Sequence, residues 1–194
     1  WDALATATKP PEAKRAGDDL RAFYTRLAQR YFRLCRDAVK HAAPRQMYLG
    51  CRFAWVNDLA ARAAAGFCDV VSYNRYQRSV GGFELPEGMD TPVLIGEFHF
   101  GALDRGLFHT GLVPVASQAA RAEAYTTYVR SAVAHPQIVG CHWFKYKDQS
   151  TVGRALDGEN YQIGFLDICD TPYPETVAAC REVGYGLYPP PGHE

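Results

Sequence analysis

The chain of 194 residues predicts an α/β fold built from parallel strands joined by helices. Three observations carry that expectation. Short apolar segments at 47–54, 68–76, 92–100 and 138–144 have the length of strands and are bounded by Gly, Pro or Asn. Helical patterns and glycine-rich loops separate them, rather than tight hairpin turns. Neither a Gly-x-Gly-x-x-Gly nor a Gly-x-x-x-x-Gly-Lys-Ser/Thr sequence is present, so a nucleotide-binding sheet would lack its phosphate loop. The strand–helix units amount to half of an eight-stranded barrel or to a small open sheet, and the length suits one domain over 1–194 with a sizeable core.

The elements follow in order. Residues 1–9 read as an irregular lead-in and 10–43 as one long helix. Pro10 and Pro11 suit its start, and Asp18 and Asp19 suit its early turns. Leu20, Phe23, Tyr24, Leu27, Tyr31, Leu34 and Val39 recur at three- and four-residue spacing, giving an apolar stripe that Pro44 ends. A strand over 47–54 leads to Asn57 or Asp58, either of which caps an alanine-rich helix over 59–65. Gly66 closes that helix, the second strand spans 68–76, and a loop over 79–91 leads into the third. After a loop with Gly101, Gly106, Gly111 and Pro114 comes a helix over 117–134, then the fourth strand. A short strand or turn over 163–168 precedes a last helix, opened by Asp170-Thr171-Pro172 and running to about Val183. The proline-rich tail 188–194 is expected to be irregular.

Bulk properties narrow the function classes. Acidic and basic residues balance at 21 each, which argues against nucleic acid or an anionic membrane as partner. No apolar run approaches the roughly 20 residues of a membrane span, and no signal-peptide pattern is visible. The first residue is Trp1 rather than Met, which predicts a processed product or a piece of a longer chain. Cys35, Cys51, Cys68, Cys141, Cys169 and Cys180 form no Cys-x-x-Cys pair, so a zinc cluster or compact disulfide scaffold is not expected, and no cofactor motif is present. Most of these cysteines read as small buried residues of strands and helices.

Glu97 is the residue on which function turns. It lies near the end of Pro92-Val93-Leu94-Ile95-Gly96-Glu97-Phe98-His99-Phe100-Gly101. Strand alternation predicts Ile95, Glu97 and His99 on one face and Leu94, Phe98 and Phe100 on the other. A carboxylate on a buried strand is costly without a partner or a task, and in parallel α/β folds the C-terminal strand ends collect catalytic groups.

Three segments together resemble the clan A glycoside hydrolases, the retaining glycosidases of the (β/α)8 barrel. Asp69-Val70-Val71-Ser72-Tyr73-Asn74-Arg75-Tyr76 resembles the sixth barrel strand of β-glucuronidases and β-galactosidases. Residues 92–97 resemble the seventh strand, which ends in the nucleophile, and Gly140-Cys141-His142-Trp143 the eighth. Tyr48-Leu49-Gly50-Cys51-Arg52-Phe53 and Asp157-Gly158-Glu159-Asn160-Tyr161-Gln162-Ile163-Gly164-Phe165 are similar to β-agarases and related galactosidase-like enzymes. The resemblance implies that the chain is the C-terminal half of such a barrel, strands five to eight. It implies Glu97 as nucleophile, Tyr76 donating its hydroxyl to that carboxylate, and Trp143 stacking on the sugar. Asn74, His99, His142 and Arg52 are implied as further substrate contacts, with a hydrogen-bonded structural role the alternative for either histidine. The substrate class implied is a β-linked galactose-type polysaccharide or oligosaccharide, and such a role would place the protein outside the cytoplasm, secreted or periplasmic.

The chain departs from this pattern in one respect. The acid/base of the clan follows an asparagine, and no Asn-Glu pair occurs here: Asn57 precedes Asp, Asn74 precedes Arg and Asn160 precedes Tyr. Retaining chemistry needs two carboxyl groups about 5 to 5.5 Å apart. Either an absent N-terminal half supplies the second, or a homodimer completes the barrel through its open strand edges, or a loop acid substitutes, with Glu159, Glu84, Glu87 and Asp148 as candidates. A carbohydrate-binding or assembly module without chemistry is the alternative function. A metal-dependent hydrolase using Glu97, His99 and His142 is a third, weakened because His142 should face away from Trp143.

Overall fold

The computed structural model describes residues 10–187, with side chains from residue 14 onward. The expected lead-in at 1–9 and tail at 188–194 lie outside the described residues. The elements are α1 (Pro10–Ala42), β1 (Arg52–Phe53), α2 (Asp58–Ala65), β2 (Val71–Asn74), β3 (Val93–Phe98), α3 (Gln118–Val133), β4 (Ile138–Trp143) and α4 (Pro174–Gly186). The strands take the sheet order β1-β2-β3-β4, and β3 pairs with β4 in parallel, as α/β alternation predicts. Contacts divide the chain into two compact units. The first runs through Ser72 and includes Leu85–Thr91; the second comprises Tyr73–Glu84 and the chain from Pro92 onward.

In the first unit the long helix forms as expected, yet its apolar stripe is not core. Leu20, Phe23, Tyr24, Leu27, Tyr31 and Leu34 are exposed, while Phe32 is buried and meets the Phe53 ring edge-on at 6.2 Å. The strand expected over 47–54 shrinks to Arg52–Phe53 for a local reason. Gly50 turns the backbone to φ +65°, and a Cβ there would lie 2.5 Å from the Cys68 sulfur. The Tyr48 N–H is drawn to the Asp69 carboxylate at 2.7 Å, and Lys40 meets the same carboxylate at 2.8 Å. Asn57 caps α2 by accepting the Ala60 N–H.

In the second unit Ser117 caps α3, and that helix packs an aromatic face against β3. Phe98 stacks on Tyr128 with centroids 4.0 Å apart and planes 3° from parallel, and Tyr125 lies on the same side at 6.0 Å. The Tyr128 hydroxyl, its pKa raised by burial, donates to the Arg75 carbonyl. The extra strand expected over 163–168 is reduced to bridges of Leu166 with Lys147 and Pro172. These hold the chain extended past Pro172, so α4 starts at Pro174, later than Asp170-Thr171-Pro172 would have it. Of the cysteines, all free, Cys68 is buried, Cys169 exposed and the rest half-buried. No helix among the described residues is long and apolar enough to cross a membrane.

The pairing of β3 corrects the expected alternation around Glu97. Ile95 pairs with Cys141 and Phe98 with Trp143, so three steps on β3 match two on β4. Cross-strand partners share a face, so Ile95 joins Phe98 on the side of α3, not Glu97. A register irregularity of the bulge type absorbs the extra residue between them. Glu97 lies within that irregular stretch, half-buried, next to fully buried Phe98 and His99.

Candidate active site

The site is assembled in the second unit from the ends of β2, β3 and β4 and the loops that follow. The Tyr76 hydroxyl donates to Glu97 Oε2 at 2.5 Å, and the Arg75 N–H donates to the Glu97 carbonyl at 2.9 Å. Charge-assisted bonds of this kind are short and directional, so the phenol fixes one carboxylate oxygen and leaves the orientation of the other defined.

His99 supports this arrangement from beneath. Its ring lies 4.6 Å from that of Tyr76. The Leu112 N–H donates to Nε2 at 2.8 Å, which leaves Nδ1 to carry the proton and donate to the Phe144 carbonyl at 3.1 Å. Both ring nitrogens are thus engaged, and the side chain is buried. His99 is therefore not placed to bind a substrate hydroxyl, which corrects the role implied for it; it braces Tyr76 instead. A glycine is required opposite: Gly111 has φ +75°, and a Cβ there would stand 2.5 Å from Nε2.

Burial, with a smaller contribution from the Arg121 charge, pushes the His99 pKa down from 6.5 to about 4. A base whose folded pKa is lowered prefers to be neutral in the native state, so its contribution is fully present above its unfolded pKa. That stability is lost as pH falls from about 6.5 through about 4, by up to about 3 kcal/mol. The His99→Gln variant should be less stable than wild type at neutral pH, and the gap should narrow across that window. Urea midpoints of both proteins, measured down the pH range, check this; a gap independent of pH would contradict it.

Trp143 is also placed differently from the role the resemblance implies. Its ring packs with Phe98 at 5.2 Å, Tyr125 and Phe165 at 5.5 Å and Phe100 at 6.2 Å, and its Nε1–H donates to the Ile163 carbonyl. The Arg121 guanidinium lies over the ring at 5.4 Å. The indole thus belongs to the packing against α3. The aromatic ring on the other side is Phe144, 6.2 Å from His99.

The remaining expected residues distribute unevenly. Asn74, the last residue of β2, is half-buried, and its Oδ1 is shielded from solvent without a hydrogen-bond partner among the described residues. His142 is exposed on β4. Arg52 is exposed on β1 of the first unit. Glu159 is held by Arg154 at 3.0 Å and by Gln149 at 2.7 Å. Both contacts engage the same oxygen, Oε2, and tie the side chain to residues of its own loop. Among the described residues no group of three His, Cys, Asp or Glu could hold a metal ion.

The sequence did not mark Arg121, and it offered Asp148 only as a candidate loop acid. Arg121 is fully buried; its Nε donates to the Phe100 carbonyl and Nη2 to the Gly164 carbonyl, tying the chain after β3 to the loop after β4. Burial lowers its pKa to about 10, against which nearby Asp148 acts, so it remains a cation at neutral pH. Asp148, also buried, accepts the Ile163 and Gly164 N–H groups and the Tyr173 hydroxyl. An arginine in helical step with Tyr125 and Tyr128 on an apolar face was the available signal.

No protein-family model matches the chain. It is 46% identical over 167 residues to the β-agarase B of Vibrio sp. (strain JT0107), covering 84% of this chain and 18% of that protein. The crystal structure of an agarase superposes with a TM-score of 0.84 at 43% identity, over 89% of this chain and 25% of the other. A GH2 β-galacturonidase from Eisenbergiella tayi superposes with a TM-score of 0.56 at 18% identity, over 86% of this chain and 32% of the other, a likeness of fold alone. The chain spans about a fifth of the length of the curated relatives it matches.

Proposed function

We propose that this chain carries the nucleophile side of a retaining glycosidase that cleaves a β-linked galactose-type polysaccharide. The observation that bears most weight is the Tyr76–Glu97 hydrogen bond at the C-terminal end of β3, in a chain whose relatives are β-agarases. Glu97 attacks the anomeric carbon, the glycosidic C–O bond breaks, and a glycosyl ester forms on the carboxylate. Tyr76 holds the non-attacking oxygen in place. Phe144, whose ring lies 6.2 Å from that of His99, offers an aromatic wall for the sugar. Exposed His142 is a further candidate for hydroxyl contact.

The leaving oxygen needs a proton from a second carboxyl group about 5 to 5.5 Å from the first. With Glu159 committed to Arg154, we assign that group to polypeptide other than these residues, either an N-terminal half-barrel or a second copy of the chain. Water then hydrolyses the ester with the same group acting as base.

The test is proton NMR of the first product released from an agarose-derived oligosaccharide. A β-anomer is expected at first, mutarotating later; an α-anomer appearing first would overturn retention. Binding without any release of product would favour the non-catalytic module instead.

A further inference from the structure

We infer that the stacked rings of His109 and Tyr161 form a second sugar-binding subsite, for a neutral galactose-type unit outside the cleavage position. The inference rests on the glycosidase reading above and adds where the rest of the substrate lies.

The two residues come from different loops, joined where they meet. His109 and Tyr161 form an isolated parallel bridge, with the Gln162 N–H donating to the His109 carbonyl at 2.7 Å. Their rings stack at 4.8 Å, 30° from parallel. The Tyr161 backbone is pinned on both sides by Gln149, whose Oε1 accepts its N–H and whose N–H donates to its carbonyl. The pair is thus rigid before any ligand arrives, which keeps the entropic cost of binding low.

It also lies in line with the chemistry. The Tyr161 ring meets His99 edge-on at 6.1 Å, His99 lies 4.6 Å from Tyr76, and Tyr76 bonds Glu97. His109 is exposed, and the ring face turned away from Tyr161 is the one we assign to the ligand. The Gly111 N–H donates to its Nδ1 at 3.1 Å, which places the ring proton on Nε2. The subsite therefore offers a flat apolar face with one fixed donor at its edge. That is the chemistry of a pyranose, whose C–H face packs on the ring while a hydroxyl accepts from Nε2.

Titration calorimetry with a neutral agarose-derived hexasaccharide tests this, with methyl β-galactoside as a ligand confined to the position beside Glu97. His109→Ala should weaken hexasaccharide binding about tenfold, roughly 1.4 kcal/mol, and leave the monosaccharide unchanged. His109→Phe, which keeps the face and loses the donor, should weaken it by less. Wild-type affinity in His109→Ala would overturn the subsite and leave the Glu97 reading in place. Equal weakening for both ligands would overturn it as well, since the effect would then not be local. A wild-type protein that binds neither sugar would overturn both readings together.

Discussion

Glu97→Gln is expected to lower turnover of an aryl β-galactoside by at least about a thousandfold, a loss of about 4 kcal/mol in transition-state stabilisation. The amide is isosteric, and its oxygen still accepts the Tyr76 hydroxyl, so the bond that orients the side chain survives. What disappears is the negative charge and the capacity to form a glycosyl ester. Melting temperatures of the two proteins should agree within a few degrees, which separates loss of chemistry from loss of fold. Turnover by Glu97→Gln at wild-type rate would remove Glu97 from the mechanism.

The second large effect is on stability. Arg121→Ala should destabilise the protein by about 3 to 5 kcal/mol, read as a fall in urea midpoint. The substitution strips hydrogen bonds from the buried Phe100 and Gly164 carbonyls and from Gln118 Oε1, and removes the cation lying over Trp143 and Tyr173. It also leaves Asp148 buried without the nearby positive charge. Arg121→Lys keeps the charge but not the planar fork that reaches both carbonyls, so most of the loss should persist. A cost under about 1 kcal/mol in either variant would show that water replaces the guanidinium and that the residue is not structural.

Much of the local structure was legible in the residues. Asn57 and Ser117 were readable as helix starts because a cap is a local bargain between one side chain and one N–H. The long helix 10–42 followed from its spacing, although its stripe turned out to be exposed: periodicity says that a face is apolar, not that anything in the chain covers it. The strand 47–54 was lost to Gly50 and to the Asp69 carboxylate, whose claim on the Tyr48 N–H comes from 21 residues away. Strand alternation failed at the strand that carries Glu97, since the extra residue between Ile95 and Phe98 is defined only by the partner strand.

The site divides in the same way. Glu97 stood out by residue type and position, because an acid near the end of an apolar strand is a chemical statement that needs no coordinates, whereas Tyr76 was marked only through the family resemblance. Which aromatic faces them was not legible. Trp143 and Phe144 are adjacent, and one residue of register decides which ring turns towards α3 and which towards His99. His99 looked like a binder until the Leu112 N–H and the Phe144 carbonyl were found on its two nitrogens. Residue chemistry alone marked out the strand and its acid, and the family resemblance added the phenol. Tertiary packing assigned every neighbour its task, because hydrogen-bond partners and ring contacts depend on segments far apart in the chain, and their register is settled only when the strands pair.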